Sequence, residues 1–231
     1  MITKRLGLTN NVLKIIALIT MTVDHIGVIF FPTIMAFRII GRISMPIYAY
    51  MIAEGCKYTK NKLRYFLTVF ILALICQIAY YVNDKLLIMT TLISYSFSML
   101  LIFLIAWTIK SKKYYAIIVT TLSFLLVGCG YYILPKVITK FAFDYGIFCV
   151  TLPIGIYLAK GKWFKLLACA LGLVLIVLDN IEIPLQWWSL LALIPLALYN
   201  GKRGNLRIKY LFYLYFPLHF LVLYGIKLII G

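Results

Sequence analysis

Charged residues are scarce in this sequence, and acidic residues are almost missing. Of the 231 residues, 65% are hydrophobic and 13% are charged, with six acidic residues against 23 Lys and Arg. Soluble domains have about 25% charged residues, and they leave apolar patches of only roughly a few hundred Å² exposed. The hydrophobicity also excludes a disordered chain. The small polar fraction leaves no folded basic face for nucleic acid, so a polytopic membrane protein remains.

Motifs of several enzyme and metal-binding classes are missing as well. The five cysteines contain no CxxC or CxxH pair, and all but Cys56 lie in apolar runs. We therefore interpret them as packing residues rather than as disulfides or zinc ligands, and we expect no metal. No P-loop, GxGxxG, HExxH or GxSxG stands where its mechanism would operate. A nucleotide-driven pump and a zinc protease thus have no support.

Apolar runs of membrane-spanning length fill almost the whole chain, since a spanning helix needs about 20 such residues. We interpret the first run as an uncleaved helix, because no A-x-A-like site follows it. The sequence predicts an all-α polytopic membrane protein, with a single integral membrane domain over residues 1–231. It has about nine transmembrane helices, over residues 11–31, 37–54, 65–82, 86–109, 114–135, 143–159, 163–179, 185–200 and 210–230.

The basic residues alternate from loop to loop as the positive-inside rule predicts. One set of alternating segments carries only Lys85, Lys136 and Lys140. The opposite set carries most of the positive charge: Lys4, Arg5, Lys14, Lys57, Lys60, Lys62, Arg64, Lys110, Lys112, Lys113, Lys160, Lys162, Lys165, Lys202, Arg203, Arg207 and Lys209. This asymmetry predicts a cytoplasmic N-terminus and an external C-terminus.

Ionisable residues lie at membrane depth in the first two predicted helices, where charges are costly and need partners. At 1.5 Å per residue, His25 and Arg42 each lie roughly 6 Å to the outer side of the midplane, so they can meet. We expect Asp24 to pair with Arg42, and Arg38 to share the helix face of Arg42. Close approach of the two helices is favoured by small residues, namely Gly27, Gly41 and Ser44.

This cluster has two interpretations. In one, Asp24 and Arg42 form a buried ion pair that only fixes a helical hairpin. In the other, His25 takes part in proton transfer, because imidazole titrates near neutral pH. His219, beside Pro217 in the last predicted helix, is equally open to packing and to function. Near the helix ends, we expect Asp144 to cap the sixth helix and Glu54 to be a solvated partner of the basic loop.

Five blocks of the sequence resemble the TraX family. They are LKIIALITMTVDHIG (13–27), GRISMPIYAYMIAEG (41–55), FDYG (143–146), ALYNGKRG (197–204) and YLFYLYFPLHFLVLY (210–224). The family's named member acetylates a pilin N-terminus, so the resemblance implies acyl transfer from acetyl-CoA or another acyl-CoA. It also implies a fold similar to that of transmembrane acyltransferases, in the plasma (inner) membrane of a bacterium. The implied acceptor is external: a protein N-terminus, a glycan or a cell-wall polymer.

The resemblance gives the candidate residues chemical roles. His25 is the expected general base, oriented by Asp24, and Arg42 is expected to stabilise developing negative charge. His219 is a second candidate base or a substrate ligand. Substrate binding is assigned to Arg38, Asp144 and Tyr145. The CoA phosphates are expected to be attracted by basic residues, namely Lys57, Lys60, Arg64, Lys202 and Arg203. Membrane topology alone also explains these charges.

Two other classes of protein stay open at this point. A proton-coupled transporter or lipid flippase would use the same Asp24, His25 and Arg42 as a relay, but such proteins commonly have repeated halves, and the sequence has no internal repeat. A non-enzymatic scaffold would need the buried charges only for folding.

Overall fold

The computed structural model of the chain describes residues 7–205 and 209–230, and these residues are mostly helical. The helices are α1 (Asn10–Phe30), α2 (Met35–Gly41), α3 (Ser44–Tyr58), α4 (Lys62–Asp84), α5 (Thr91–Ser111), α6 (Tyr114–Val137), α7 (Gly146–Leu158), α8 (Lys162–Asp179), α9 (Leu193–Ala197) and α10 (Lys209–Ile230). A 3₁₀ helix covers Pro184–Ala192, and two short strands are β1 (Leu87–Met89) and β2 (Phe141–Phe143).

Within the described residues, five helices are long and apolar enough to cross a membrane. They are α1, most of α4, α5, α6, and the Phe212–Ile229 part of α10. Their outer surfaces are apolar: Leu126 on α6, for example, is 76% exposed, which suits contact with lipid rather than water. The all-α membrane class is therefore confirmed. The count of nine spans and the orientation of the termini stay predictions, and Lys4, Arg5 and Arg207 lie outside the described residues.

The contacts divide the chain into two compact units. Unit 1 comprises Met1–Met51 and Ile181–Gly231, and unit 2 comprises Ile52–Asn180. In unit 1, α1 packs against α2 and α10, and the 3₁₀ helix packs against α2. In unit 2, α7 packs against α5 and α8, and α5 packs against α4 and α6. The assignment of residues 1–231 to a single domain stays a prediction.

The second predicted helix, residues 37–54, is broken in the structure. Helix α2 ends at Gly41, two turn residues follow, and α3 begins at Ser44. Pro46 explains the break, because it has no N–H and its ring clashes with the carbonyl of the residue four positions earlier, which is Arg42. Proline is tolerated where it stands, in the first turn of α3. The break therefore places Arg42 at the C-terminal end of α2.

The predicted helix over residues 86–109 begins later than expected, at Thr91. Residues 87–89 instead form β1, which pairs in parallel with β2. Gln77 holds this connection in place: its Nε2 donates to the Ile88 carbonyl at 2.9 Å, and its Oε1 accepts from the Thr90 N–H at 2.8 Å. The side-chain amide of Gln77 thus replaces backbone partners that a longer helix would have supplied.

The predicted helix over residues 185–200 is a 3₁₀ helix followed by the short α9. Pro184 stands at its start, where the missing N–H costs nothing. The 3₁₀ helix has nine residues, whereas runs of more than about three or four are uncommon in proteins. Because residues three apart eclipse each other in this geometry, Gln186 and Ser189 lie on one edge of it.

Candidate active site

An ionic cluster joins α1 and α2 within unit 1. Arg38 Nη1 donates to Asp24 Oδ2 at 2.9 Å, and Arg42 Nη2 donates to Asp24 Oδ1 at 3.3 Å. Arg42 is only 7% exposed. The arginines, four residues apart, share one face of the chain as predicted. The predicted Asp24–Arg42 pair is confirmed, and Arg38 completes a cluster with two positive charges and one negative charge.

Glycine allows the two helices to approach this closely. A Cβ atom added to Gly41 would overlap the Asp24 carboxylate, and one added to Gly27 would overlap the Phe37 side chain. The predicted role of both glycines in close packing is therefore confirmed. Ser44 has a different role: its Oγ donates to the Gly41 carbonyl at 2.8 Å, across the break between α2 and α3.

Gln186 is a further member of the cluster, and it was not predicted from the sequence. Its Oε1 accepts from Arg42 Nη1 at 3.4 Å, and the residue is 2% exposed. One signal was available, since Gln186 is the single strongly polar residue within the run IPLQWW. The hydropathy of a run does not tell which other helix it will contact, so the link to Arg42 required the fold.

The two histidines contact each other across α1 and α10. His219 Nε2 lies 3.0 Å from His25 Nδ1, and His219 Nδ1 lies 3.1 Å from the Tyr215 carbonyl oxygen. The expectation that Asp24 orients His25 is wrong. Neighbouring residues on a helix point about 100° apart, and both Asp24 oxygens accept hydrogen bonds from arginine. His219 therefore takes the place beside His25 that Asp24 was expected to fill.

The hydrogen-bond pattern assigns the tautomers of this pair. A carbonyl oxygen only accepts, so His219 Nδ1 carries hydrogen and donates to Tyr215. Neutral His219 then has a bare Nε2, which accepts the Nδ1 hydrogen of His25. Neutral His25 consequently has its lone pair on Nε2. Within the described part of the chain, His25 makes no other hydrogen bond, and its Nε2 is available as a base.

Aromatic rings fix the orientation of the histidine pair. The Tyr215 ring is stacked on the His219 ring at 5.5 Å between centroids, and the Phe220 centroid lies 4.4 Å from that of His25. Tyr215 also ties α10 to α1, because its hydroxyl lies 2.6 Å from Thr22 Oγ1. Asp24 and His25 are consecutive residues of α1, so the imidazole pair lies next to the ionic cluster of Asp24, Arg38 and Arg42.

Two predicted substrate-binding residues, Asp144 and Tyr145, lie in unit 2. Asp144 Oδ2 accepts from Thr91 Oγ1 at 2.6 Å. The N-cap position of α7 is occupied by Tyr145, whose φ is 62°, so the expectation that Asp144 is the N-cap is wrong. The chain makes a tight left-handed turn there, which moves the helix start one residue onward. Substrate binding by Asp144 and Tyr145 stays a prediction.

The residues assigned to CoA binding are all exposed. Lys57, Lys60 and Arg64 flank the turn between α3 and α4 in unit 2. Lys202 and Arg203 lie in unit 1, where their carbonyls accept from the Asn10 and Asn11 N–H groups at the start of α1. Their positive side chains are free to meet phosphate, and their role in CoA binding stays a prediction.

Glu54 is buried rather than solvated, contrary to expectation. It forms an ion pair with Lys165, and the side chains are 6% and 9% exposed. Both residues belong to unit 2, where Glu54 on α3 meets Lys165 on α8. A buried carboxylate needs a cation close by, and the long lysine side chain reaches inward from the first turn of α8 to supply it.

These features define a helical membrane protein with a site of two histidines, two arginines, an aspartate and a glutamine, of which Arg42, His219 and Gln186 are buried. The family model for the TraX protein matches residues 9–227, and the chain belongs to this family. It is also similar to an uncharacterised protein of Rickettsia prowazekii (strain Madrid E), with 43% identity over 54 residues. This match covers 23% of the chain and 21% of that protein, so the chain spans about a fifth of the length of this relative. No solved structure matches the chain.

Proposed function

We propose that this protein is a membrane-embedded acyltransferase, and specifically an acetyltransferase, that moves an acyl group from acyl-CoA to an amine or hydroxyl. The observation that carries the proposal is the 3.0 Å contact between His25 and His219, with tautomers that leave His25 Nε2 as a base. Arg38 and Arg42 both bond to Asp24, the residue that directly precedes His25 in α1. A base and a stabiliser of negative charge are what acyl transfer requires.

In the proposed reaction, His25 Nε2 accepts the proton of the attacking amine or hydroxyl. The nucleophile forms a bond to the thioester carbonyl carbon, and the carbonyl oxygen becomes an oxyanion next to Arg42. When the oxyanion collapses, the C–S bond breaks and the CoA thiolate leaves with the proton that His25 had taken. His219 accepts the Nδ1 hydrogen bond of His25 throughout, so it holds the base in the required tautomer and orientation.

The ionic cluster supports the charge requirement of this step. Asp24 neutralises one of the two guanidinium groups, so the cluster retains one net positive charge at membrane depth. Such a charge is costly when unpaired. It is compensated when the reaction creates an oxyanion nearby, so the site stabilises the transition state more than the neutral substrate.

The proposal includes an arrangement in the bacterial plasma (inner) membrane. The chain crosses the membrane about nine times, with the N-terminus in the cytoplasm, acyl-CoA bound from the cytoplasmic side near the exposed lysines and arginines, and an external acceptor. Single cysteines at positions 182 and 203 test this arrangement. An impermeant thiol reagent added outside cells is expected to label position 182 and not position 203, and the reverse pattern would overturn the orientation.

Purified protein in detergent, with radiolabelled acetyl-CoA and an envelope extract as acceptor, tests the activity. Wild type is expected to transfer label, whereas His25→Ala and Arg42→Gln lose it at matched expression. Phe164→Ala is a control in which an aromatic side chain on the exposed face of α8 is removed. If the variants are as active as wild type, the assigned site is refuted. If wild type transfers no label and does not bind acetyl-CoA in calorimetry, the proposed function is refuted.

A proton-coupled transporter or flippase is the second candidate, because two hydrogen-bonded imidazoles at membrane depth also suit a proton relay. It predicts proton movement in proteoliposomes that depends on His25 and His219 and does not require acyl-CoA. Binding of acetyl-CoA by the wild type would favour the acyltransferase.

A further inference from the structure

The side-chain amide of Gln186 is only half used within the protein. Its orientation is fixed by Arg42, because a guanidinium only donates and the atom that faces it must be Oε1. Nε2 therefore points away from Arg42. Within residues 7–205 and 209–230, the buried Gln186 Nε2 and Ser189 Oγ have no hydrogen-bond partner.

Unpaired polar atoms are costly when they are buried. Gln186 is 2% exposed and Ser189 is fully buried, and most buried polar groups in folded proteins are hydrogen-bonded. A leucine or methionine at position 186 would pack without such a cost. The two unpaired atoms, on one edge of the 3₁₀ helix, therefore point to a partner that arrives from outside the protein.

Gln77 shows what a structural glutamine in this chain does. Both polar atoms of its side-chain amide form hydrogen bonds with the backbone: Nε2 donates to the Ile88 carbonyl, and Oε1 accepts from the Thr90 N–H. Gln186 differs because its Nε2 donor has no hydrogen-bond partner within the described residues. Support of Arg42 requires only the acceptor end, so the donor end has no structural task.

We propose that Gln186 is a catalytic residue of the acyl transfer, whose Nε2 donates to the carbonyl oxygen of the acyl thioester next to Arg42. This inference rests on the proposed function. Nε2 and the guanidinium both only donate, so the ligand between them presents a hydrogen-bond acceptor, as a thioester carbonyl does. The hydrogen bond strengthens when nucleophilic attack turns that oxygen into an oxyanion, and no proton leaves the amide. Ser189 Oγ supplies a further polar contact to the bound acyl group.

The test compares two substitutions that remove the donor in different ways. Gln186→Glu keeps an acceptor for Arg42 and removes the N–H group, whereas Gln186→Met removes both. With acetyl-CoA as donor, both variants are expected to lower kcat by about 100-fold, as the loss of one oxyanion donor does. The KM for acetyl-CoA is expected to stay within about threefold of wild type, because most binding contacts of CoA lie outside the carbonyl.

Ser189→Ala separates function from folding. Removal of an unpaired buried hydroxyl is expected to raise the thermal midpoint and still lower kcat, whereas Gln77→Met, the control with a fully bonded amide, is expected to lower the midpoint. A merely structural residue would not gain stability and lose activity together. A lower midpoint for Ser189→Ala would overturn its assignment.

The outcomes distinguish a failure of the Gln186 inference from a failure of the proposed acyltransferase function. If wild type transfers acetyl groups and both Gln186 variants match its kcat, the inference is refuted and the acyltransferase stands. If Gln186→Met is impaired but Gln186→Glu is not, Gln186 only holds Arg42, and the inference is again refuted. If wild type neither transfers nor binds acetyl-CoA, the proposed function fails and the inference fails with it.

Discussion

His219 Nε2 lies 3.0 Å from His25 Nδ1, although 194 residues separate them in the chain. One imidazole in such a contact must donate and the other must accept, and the Tyr215 carbonyl decides which does so. The pair is therefore directional: His219 accepts the hydrogen bond from His25, and His25 carries the available lone pair. This asymmetry gives different expectations for equivalent substitutions at the two positions.

Glutamine is expected to rescue function at position 219 but not at position 25. The amide oxygen in His219→Gln can accept the Nδ1 hydrogen of His25, so kcat stays above that of His219→Ala. Neither His25→Gln nor His25→Ala provides a base, and both are expected to lose about 10²- to 10⁴-fold in kcat. Acetyl transfer by the four variants is the measurement. Equal rates for His25→Gln and wild type would remove His25 from the base role.

Asp24→Asn is expected to destabilise the protein by about 3 kcal/mol, because two guanidinium groups then lie together without a counter-charge. The double substitution of Asp24→Asn with Arg38→Gln removes one positive charge as well and is expected to recover much of the loss. Thermal unfolding in detergent measures both. If the double variant is less stable than Asp24→Asn, repulsion between the two arginines is not the source of the loss.

Gly41→Ala is expected to separate α1 from α2, since the added Cβ overlaps the Asp24 carboxylate. Overpacking of this kind costs about 1–3 kcal/mol, and the displaced carboxylate would also lower acetyl transfer. Gly128→Ala is the matched control, because nothing lies within 4 Å of a Cβ at that helical position. It is expected to be neutral or to stabilise the protein by up to about 1 kcal/mol. Equal effects of the two substitutions would contradict the close packing at Gly41.

The Glu54–Lys165 pair is expected to follow the behaviour of buried ion pairs. Lys165→Met alone leaves a buried carboxylate and is expected to cost about 3–5 kcal/mol, whereas Glu54→Leu together with Lys165→Met is expected to be close to neutral. A double-mutant cycle on thermal unfolding gives the coupling. Additive losses from the two single substitutions would mean that the side chains do not compensate each other.

The sequence predicted those parts of the site that depend on depth and local spacing. The grouping of Asp24 with Arg38 and Arg42 was predicted because charges at equal depth need partners. The close packing at Gly41 was predicted because helices that approach closely need small residues. The break before Ser44 was readable from Pro46 and was missed. The contacts of His25 with His219, and of Arg42 with Gln186, were not predictable in this way, because hydropathy gives the depth of a residue but not the helix beside it.

The shortness of α2 has a consequence for the assembly of the protein in the membrane. A helix of seven residues is far below the length at which helices are stable alone, about 12–15 residues, so α2 forms only as it docks on α1. Asp24, Arg38 and Arg42 would each cost about 2.5–3.5 kcal/mol if inserted singly. Insertion of α1 and α2 as one hairpin would pair Asp24 with an arginine before the two helices enter the lipid, so the same ion pairs would lower the free-energy cost of inserting this hairpin.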